Sequence, residues 1–178
     1  MKKLSMDELQ RLPTEAFIES PKVPVSVLLD NVRSMNNVGS VFRTCDAFRI
    51  EEIILCGITP CPPHREIQKT ALGASESVKW RYINQIDEAI EEFVAKKYVL
   101  TGIEQTDVSV DLDKFKILPE SKYLLIFGNE VSGISDSVLD ELHAFVEIPQ
   151  FGTKHSFNIS VAAGIVLYKF CMPYLRNM

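Results

Sequence analysis

The sequence lacks the short patterns that most often identify metal enzymes and nucleotide-binding enzymes. It contains four cysteines and three histidines, but no C-x-x-C pair and no ligand spacing for zinc, so we expect no bound metal. No two of its eight glycines are spaced G-x-G, and neither the dinucleotide-binding fingerprint nor a P-loop is present. The histidines also do not accompany a Ser/Asp or Cys triad order, which gives triad hydrolysis little support.

An excess of positive charge and a long apolar run are missing as well. The formal net charge is -5, so binding to nucleic acid would have to depend on a local basic patch. The first ten residues have no apolar segment typical of a signal peptide, and the longest apolar run, 159–168, is too short to span a bilayer. We therefore expect a cytoplasmic protein with free thiols, in which the glycosylation sequon at Asn158 arises by chance.

What is present is the composition of an ordinary globular domain, with 46 % hydrophobic and 24 % charged residues in 178. Strand and helix patterns alternate, which predicts an α/β domain with a mainly parallel sheet flanked by helices. We assign residues 1–23 to a short N-terminal extension and 24–178 to a single folded domain. Strands are predicted at 25–30, 51–57, 78–83, 98–103, 123–127 and 144–149; helices at 36–48, 85–97, 135–143 and from Asn158; and a proline-rich loop at 58–77.

Ligands of such sheets bind outside the carboxyl ends of the strands, so the residues that follow the strands are the candidates for a site. The stretch "GNEVSGIS" follows strand 123–127, and its Gly128 and Gly133 would let backbone N–H groups approach a ligand. Glu130 lies between them; the alternative is a tight turn with a solvated acid. After the last strand, "QFGTKHSFNIS" ends in Ser156 and Asn158, either of which could instead cap the following helix.

The stretch "NNVGSVFRTCDAF", 36–48, predicts an amphipathic helix whose polar face carries one arginine, Arg43. Asn36 or Asn37 would cap it. Small residues around an arginine allow another surface to come close, and the guanidinium suits a phosphate or a carboxylate. The alternative is a salt bridge within the protein or at an interface. The two faces consist of Val38, Val41, Phe42, Cys45 and Phe48 against Gly39, Ser40, Arg43 and Ala47.

Three of these segments, "NNVGSVFRTCDAF", "YLLIFGNEVSGIS" and "EIPQFGTKHSFNISVAAGIVLY", occur in the order of the three motifs of the TrmH (SpoU) family of SPOUT RNA 2′-O-ribose methyltransferases. The sequence resembles this family over about 24–170, and "IQKTALGASESVKW" adds to the similarity. The resemblance implies a C-terminal trefoil knot, S-adenosylmethionine as the methyl donor and a homodimer. The implied reaction is methylation of a ribose 2′-hydroxyl of tRNA or rRNA.

The resemblance also implies roles for individual residues. Asn37 and Arg43 match the first motif, Glu130 the second, and Ser156 and Asn158 the third, as a catalytic set. Arg43 would lie beside the 2′-hydroxyl and a neighbouring phosphate, either as general base or as phosphate ligand. The implied cofactor residues are Gly102, Phe127, Gly128, Gly133, Ile148, Ser156 and Phe157, and the implied RNA contacts are Arg33, Arg43 and Lys154.

The sequence departs from the family pattern at three positions. Arg49 stands where the family often has glycine, Phe157 replaces a common leucine, and Gln150 stands where methionine is frequent. The alternative function is a non-catalytic dimeric RNA-binding protein that retains the fold. The acidic net charge favours this alternative, whereas the retained catalytic set argues against it.

Overall fold

A computed structural model of the protein describes residues 1–5, 7–176 and 178. Strands and helices alternate along most of the chain, together with two 3-10 helices, Asp7–Leu9 and Asp136–Glu141. The strands are β1 Val25–Asp30, β2 Ile53–Cys56, β3 Trp80–Ile83, β4 Tyr98–Ile103, β5 Val110–Asp111, β6 Lys122–Phe127 and β7 Ala144–Glu147. The α-helices are α1 Thr14–Glu19, α2 Met35–Ala47, α3 Arg65–Ala71, α4 Ala74–Ser77, α5 Ile86–Ala95 and α6 Ile159–Leu175.

The seven strands form one sheet in the order β3-β2-β1-β6-β4-β7-β5, and every ladder between them is parallel. The predicted α/β class with a mainly parallel sheet is confirmed. All six predicted strands are present. The seventh, β5, was not predicted, because two residues beside the edge of β7 are too short to produce a periodic pattern.

The sheet has an apolar cluster on each face, which explains the continuous apolar runs of its central strands. All six residues of β1 are buried. Val27 and Leu29 pack into the larger cluster, with α2, α3 and α6. Leu28 points to the other face, where it packs with residues of α5 such as Phe93. The carboxyl edge of the sheet is therefore fixed from both sides, and loops there rest on a rigid support.

The prediction of a loop over 58–77 is wrong, because α3 and α4 form within it. The side chain of His64 caps α3 by accepting a hydrogen bond from the amide of Glu66 at 3.2 Å, and Ile67 and Ala71 are buried one helical turn apart. The three prolines before His64 concealed this short helical pattern.

Gly39 shows why α3 can pack so closely on α2. A Cβ at this position would lie 2.1 Å from Thr70 Oγ1 and 2.3 Å from the carbonyl oxygen of Ile67. Gly39 is buried, although the helical wheel placed it on the polar face. Part of the small-residue face of α2 therefore serves a contact within the same chain, and the part around Arg43 stays open.

The four cysteines are free thiols, as predicted. Burial raises the pKa of Cys56 and of Cys171 to about 12, so neither thiol is ionised near neutral pH, and the thiolate is the nucleophilic form. Among the described residues, no helix combines the length and hydrophobicity that a membrane span requires.

Candidate active site

A chain of side-chain hydrogen bonds joins the three segments that the sequence analysis singled out. Asn158 Nδ2 donates to Asn37 Oδ1 at 3.1 Å, and Asn37 Nδ2 donates to Glu130 Oε1 at 3.3 Å. The other carboxylate oxygen, Glu130 Oε2, accepts from the amide of Arg33 at 3.3 Å. The contacts span 93 and 121 residues of sequence, so only the tertiary fold creates them.

The direction of this chain is determined at both ends. The carboxylate of Glu130 is ionised and can only accept, so Asn37 must turn its Nδ2 towards it and its Oδ1 towards Asn158. At the other end, Asn158 Oδ1 accepts from the amide and the hydroxyl of Ser160, at 2.9 and 2.6 Å. Each side chain thus has one orientation that satisfies all its partners. Asn158 therefore caps α6 and is also part of the site, so helix capping and a role in the site are both correct for this residue.

The pKa of Glu130 is lowered from its ordinary value. Burial raises the pKa, but hydrogen bonds from its own amide, from the amide of Arg33 and from the side chain of Asn37 together lower it by more. Glu130 is therefore a carboxylate at neutral pH, and its hydrogen-bonding capacity is used for positioning Asn37.

Ser34 caps α2, which corrects the prediction of Asn36 or Asn37 as the cap. Ser34 Oγ accepts from the amide of Asn37 at 3.3 Å. Serine two or three residues further upstream is an equally good cap, and the sequence alone did not distinguish them. The consequence is functional, because the side chain of Asn37 is left to contact Glu130 and Asn158.

Asn129, which the sequence analysis missed, builds the turn that presents Glu130. Its Oδ1 accepts from the amides of Val131 and Ser132 at 2.9 and 3.2 Å. Its Nδ2 donates to the carbonyl of Asn31 at 2.7 Å, and its backbone pairs with Gly133 in both directions. An asparagine that bonds amides two and three residues ahead is a recognised turn signal, so "GNEVSG" contained the information.

We expect Asn129→Ala to destabilise the protein by about 1–3 kcal/mol, because the carbonyl of Asn31 and two turn amides lose their partner. Urea unfolding of this variant and of a control measures the loss of stability. Asn36→Ala is the matched control, since Asn36 is exposed and its side chain makes no hydrogen bond among the described residues. Equal unfolding midpoints for the two variants would contradict the role of Asn129.

A cleft lies beside this hydrogen-bonded chain, at the carboxyl ends of β4, β6 and β7. Gly128 stands where two backbones meet, since a Cβ there would lie 2.1 Å from the carbonyl carbon of Gly133. The lining residues that we predicted for cofactor binding or catalysis are Phe127, Gly128, Glu130, Ile148, Ser156 and Phe157.

Two predicted cofactor residues, Gly102 and Gly133, do not line the cleft among its described residues. A Cβ on Gly102 would lie 2.9 Å from Leu142 Cδ1 and from Phe145 Cδ1, so Gly102 packs against these side chains. Gly133 has φ +73, and a Cβ there would lie 2.4 Å from Glu104 Oε2. Gly133 thus contacts a residue of the cleft wall, Glu104, whereas Leu142 and Phe145 are not among the described residues that line the cleft.

Glu104 and Gln105 are cleft residues that the sequence analysis left aside, because "IEQT" has no distinctive pattern. Glu104 Oε2 accepts from the amide of Ile134 at 3.3 Å, and Oε1 accepts from the amide of Gln105 at 3.0 Å. Gln105 Nε2 donates to the carbonyl of His155 at 2.9 Å. These bonds connect the loop after β4 to the other two loops of the cleft, and they leave a carboxylate at its wall.

Arg43 lies outside this cleft. It follows Asn37 by six residues on α2, which places it about 9 Å further along the helix axis. Its side chain is exposed and makes neither an ion pair nor a hydrogen bond with any described residue, so the salt bridge within the chain that we considered is not formed. Arg33 and Lys154 are exposed as well, on the loops before α2 and α6.

A family model described as the SpoU rRNA Methylase family matches residues 24–168. The chain belongs to this family. It is 28 % identical over 156 residues to the tRNA (guanosine(18)-2′-O)-methyltransferase of Aquifex aeolicus, covering 85 % of this chain and 71 % of the relative. It is 31 % identical over 145 residues to the 23S rRNA (guanosine-2′-O-)-methyltransferase of Neisseria meningitidis, covering 81 % and 56 %.

A solved structure of an AdoMet-bound rRNA methyltransferase from Sinorhizobium meliloti superposes with a TM-score of 0.77 at 27 % identity, covering 86 % of this chain and 58 % of that one. The predicted family and fold are confirmed. The chain spans little more than half the length of the Neisseria and Sinorhizobium methyltransferases.

Proposed function

We propose that the protein is an S-adenosylmethionine-dependent RNA methyltransferase that modifies a ribose 2′-hydroxyl of tRNA or rRNA. The observation that carries the proposal is the hydrogen-bonded chain Asn158–Asn37–Glu130 beside the cleft. It joins all three motifs of a SpoU family member at one edge of the sheet. The Aquifex and Neisseria relatives are named as guanosine 2′-O-methyltransferases of tRNA and of rRNA, which supports the same reaction for this protein.

The cleft has the chemistry that S-adenosylmethionine requires. Its apolar side chains, Ile103, Phe127, Ile148 and Phe157, suit the adenine ring. The carboxylate of Glu104 is an acceptor for the ribose hydroxyls or the ammonium group of the ligand. When bound, the cofactor would supply an electrophilic methyl group on its sulfonium.

The residues around the cleft would orient the reactants. Holding two reactants in line supplies about 7–11 kcal/mol of barrier lowering in favourable model systems. Glu130 and Asn158 hold the side chain of Asn37 in one orientation through their hydrogen bonds. Part of the site is therefore preorganised for positioning the reactants. Arg43 has no hydrogen-bond or ion-pair partner among the described residues and is available to the RNA, as a phosphate ligand or, in its neutral form, as the group that receives the proton.

The proposal includes a homodimer formed through α6. Three exposed side chains on this helix, Val161, Ile165 and Tyr168, are 49, 38 and 56 % exposed and share one face at helical spacing. Gly164 lies between them, and a Cβ on it would have nothing within 4 Å. Glycine inside a helix costs about 1 kcal/mol relative to alanine, and no contact with the described residues requires a glycine here. A second copy of α6 lying close against Gly164 would explain both the apolar stripe and the glycine.

The knot and the cytoplasmic location are also proposed. The fold similarity to SpoU structures supports the knot. Four free cysteines support a reducing compartment.

Isothermal titration with S-adenosylmethionine tests the proposal against the non-catalytic alternative. We expect saturable binding, and transfer of a labelled methyl group to total RNA from cells that lack the gene. RNA binding without cofactor binding would instead favour the non-catalytic RNA-binding protein. Mapping ribose methylation in cells with and without the gene would then identify the modified nucleotide as the missing mark.

A further inference from the structure

A second recess lies on the outer side of α2 and shares no described lining residue with the cleft. It is a groove of about 680 Å³ between the segment around α1, the exposed side of α2 and the α3–α4 connection. We call it the arginine groove, because Arg11, Arg43 and Arg49 line it. The other lining residues that bear on its chemistry are Gln10, Asp46, Leu72, Glu76 and Ser77.

The described lining of the arginine groove carries one more positive than negative charge. None of its three arginines forms an ion pair or a side-chain hydrogen bond with a described residue. Two carboxylates line the groove, and one of them, Asp46, accepts a hydrogen bond from Ser77 Oγ at 2.5 Å. In a protein of formal net charge -5, a recess with more arginines than carboxylates is a local basic patch of the kind that RNA binding needs.

Backbone strain is concentrated at the same groove. Five non-glycine residues of the described chain have positive φ, and three of them, Gln10 at 47°, Arg49 at 52° and Leu72 at 49°, line the groove. Leu72 caps α3 and Arg49 follows the end of α2, where a left-handed residue is common but is usually glycine, because other side chains disfavour this region. The coincidence of strain and unpaired charge is an observation independent of the family motifs.

Arg49 combines both properties. Its amide donates to the carbonyl of Asp46 at 3.1 Å at the end of α2, and its carbonyl accepts from the amide of Val23 at 2.8 Å. A glycine would make the same two backbone bonds and would adopt φ 52° without strain. The backbone therefore does not require an arginine at this position.

We propose that the arginine groove binds the phosphate backbone of the substrate RNA, and that Arg49 is a phosphate ligand in it. This inference rests on the proposed RNA methyltransferase activity. Arg43 lies within α2, whereas Arg49 lies two residues beyond its last residue, Ala47, so we expect the two guanidinium groups to contact different phosphates. Arg49 is thus a positioning residue, which holds a nucleotide next to the one that is methylated.

The experiment compares Arg49→Gly with Lys97→Gly. Lys97 is the matched control, because it is exposed, has φ 61° and follows the C-terminal end of another helix, α5. Each variant removes one positive charge and relieves one left-handed residue, but only Arg49 lines the groove. Binding to a fluorescent, mixed-sequence 20-nucleotide single-stranded RNA is measured by anisotropy at several salt concentrations, and urea unfolding is measured alongside.

We expect Arg49→Gly to weaken RNA binding about 3- to 10-fold and to reduce the slope of log affinity against log salt by about 0.7. Its unfolding midpoint should be at least as high as that of the unaltered protein. With total RNA as methyl acceptor, KM should rise and kcat should stay close to its original value. Lys97→Gly should leave RNA affinity and salt slope unchanged.

Equal RNA affinity and salt slope for Arg49→Gly and Lys97→Gly would overturn the role of the groove and leave the methyltransferase proposal standing. A fall in kcat without a change in RNA affinity would also overturn it, since a phosphate ligand outside the cleft acts on binding. Absence of both RNA binding and methyl transfer in the unaltered protein would overturn the groove and the activity together.

Discussion

Replacing Arg43 with alanine is expected to lower methyl transfer at least about 100-fold, while the dissociation constant for S-adenosylmethionine changes less than about twofold. Activity and cofactor affinity should respond differently because of where Arg43 lies. Arg43 is exposed and does not line the cleft in which Phe127, Ile148 and Glu104 would hold the cofactor. Its guanidinium has no partner among the described residues, so its removal leaves no buried group unpaired and should not disturb the fold.

Titration calorimetry and a methyl-transfer assay on the same preparation measure the two effects. Lys97→Ala is the comparison, because Lys97 is an exposed cation after α5 that has no assigned role in the cleft or in RNA contact. An equal loss of cofactor affinity and of activity in Arg43→Ala would show that Arg43 belongs to the cofactor site and that the division is wrong.

Arg43→Lys distinguishes the two roles left open for this residue. Lysine keeps a positive charge but loses the planar fork that binds phosphate at two points. A phosphate ligand should therefore retain part of its activity as lysine, with a raised KM for RNA. If Arg43 receives the proton instead, lysine has the lower pKa of the two side chains, and the pH dependence of kcat should move.

A charge placed on the exposed face of α6 should convert the protein to a monomer. Ile165→Glu puts a carboxylate beside Gly164 and Tyr168, where we propose that a second α6 packs, and an unpaired charge in an apolar interface is strongly unfavourable. We also expect methyl transfer to fall at least about tenfold, because α6 begins at Asn158 and loss of the partner would loosen that end of the site.

Light scattering coupled to size exclusion measures the mass of both forms. Val94→Glu is the matched control, since Val94 is a similarly exposed apolar residue, 46 % against 38 %, on helix α5 at the other face of the sheet. The control should keep the mass and the activity of the unaltered protein. A monomeric mass for the unaltered protein would refute the dimer. A dimeric mass for Ile165→Glu would show that the dimer forms through another surface.

Much of the architecture is predictable because a strand that is buried on both faces has a continuous run of apolar residues in the sequence. Continuous apolar runs identified the central strands, and the amphipathic pattern identified α2 and its buried Val38, Val41 and Phe42. The helix α3 was missed because only Ile67 and Ala71 carry its apolar pattern. The edge strand β5 was missed because two residues define no period.

The sequence predicted which residues belong to the site better than it predicted how they are arranged in space. Asn37, Glu130 and Asn158 were selected from the motifs, and the structure brings them into contact. No pattern in the sequence shows that Arg43 lies apart from the cleft, since this depends on how α2 is rotated against the sheet. The contributions of Asn129 and Glu104 depend on bonds to distant loops, which a linear pattern does not record.

The bond between Asn37 and Asn158 has a consequence for how the protein is made. Its two ends are 121 residues apart, and contacts of large sequence separation form late, since chain entropy must be overcome first. During synthesis the ribosome must release α6 before Asn37 acquires its final orientation, although most of the sheet is already available to fold. Binding of the methyl donor would then report that folding is finished, and partly folded chains would stay inactive towards RNA.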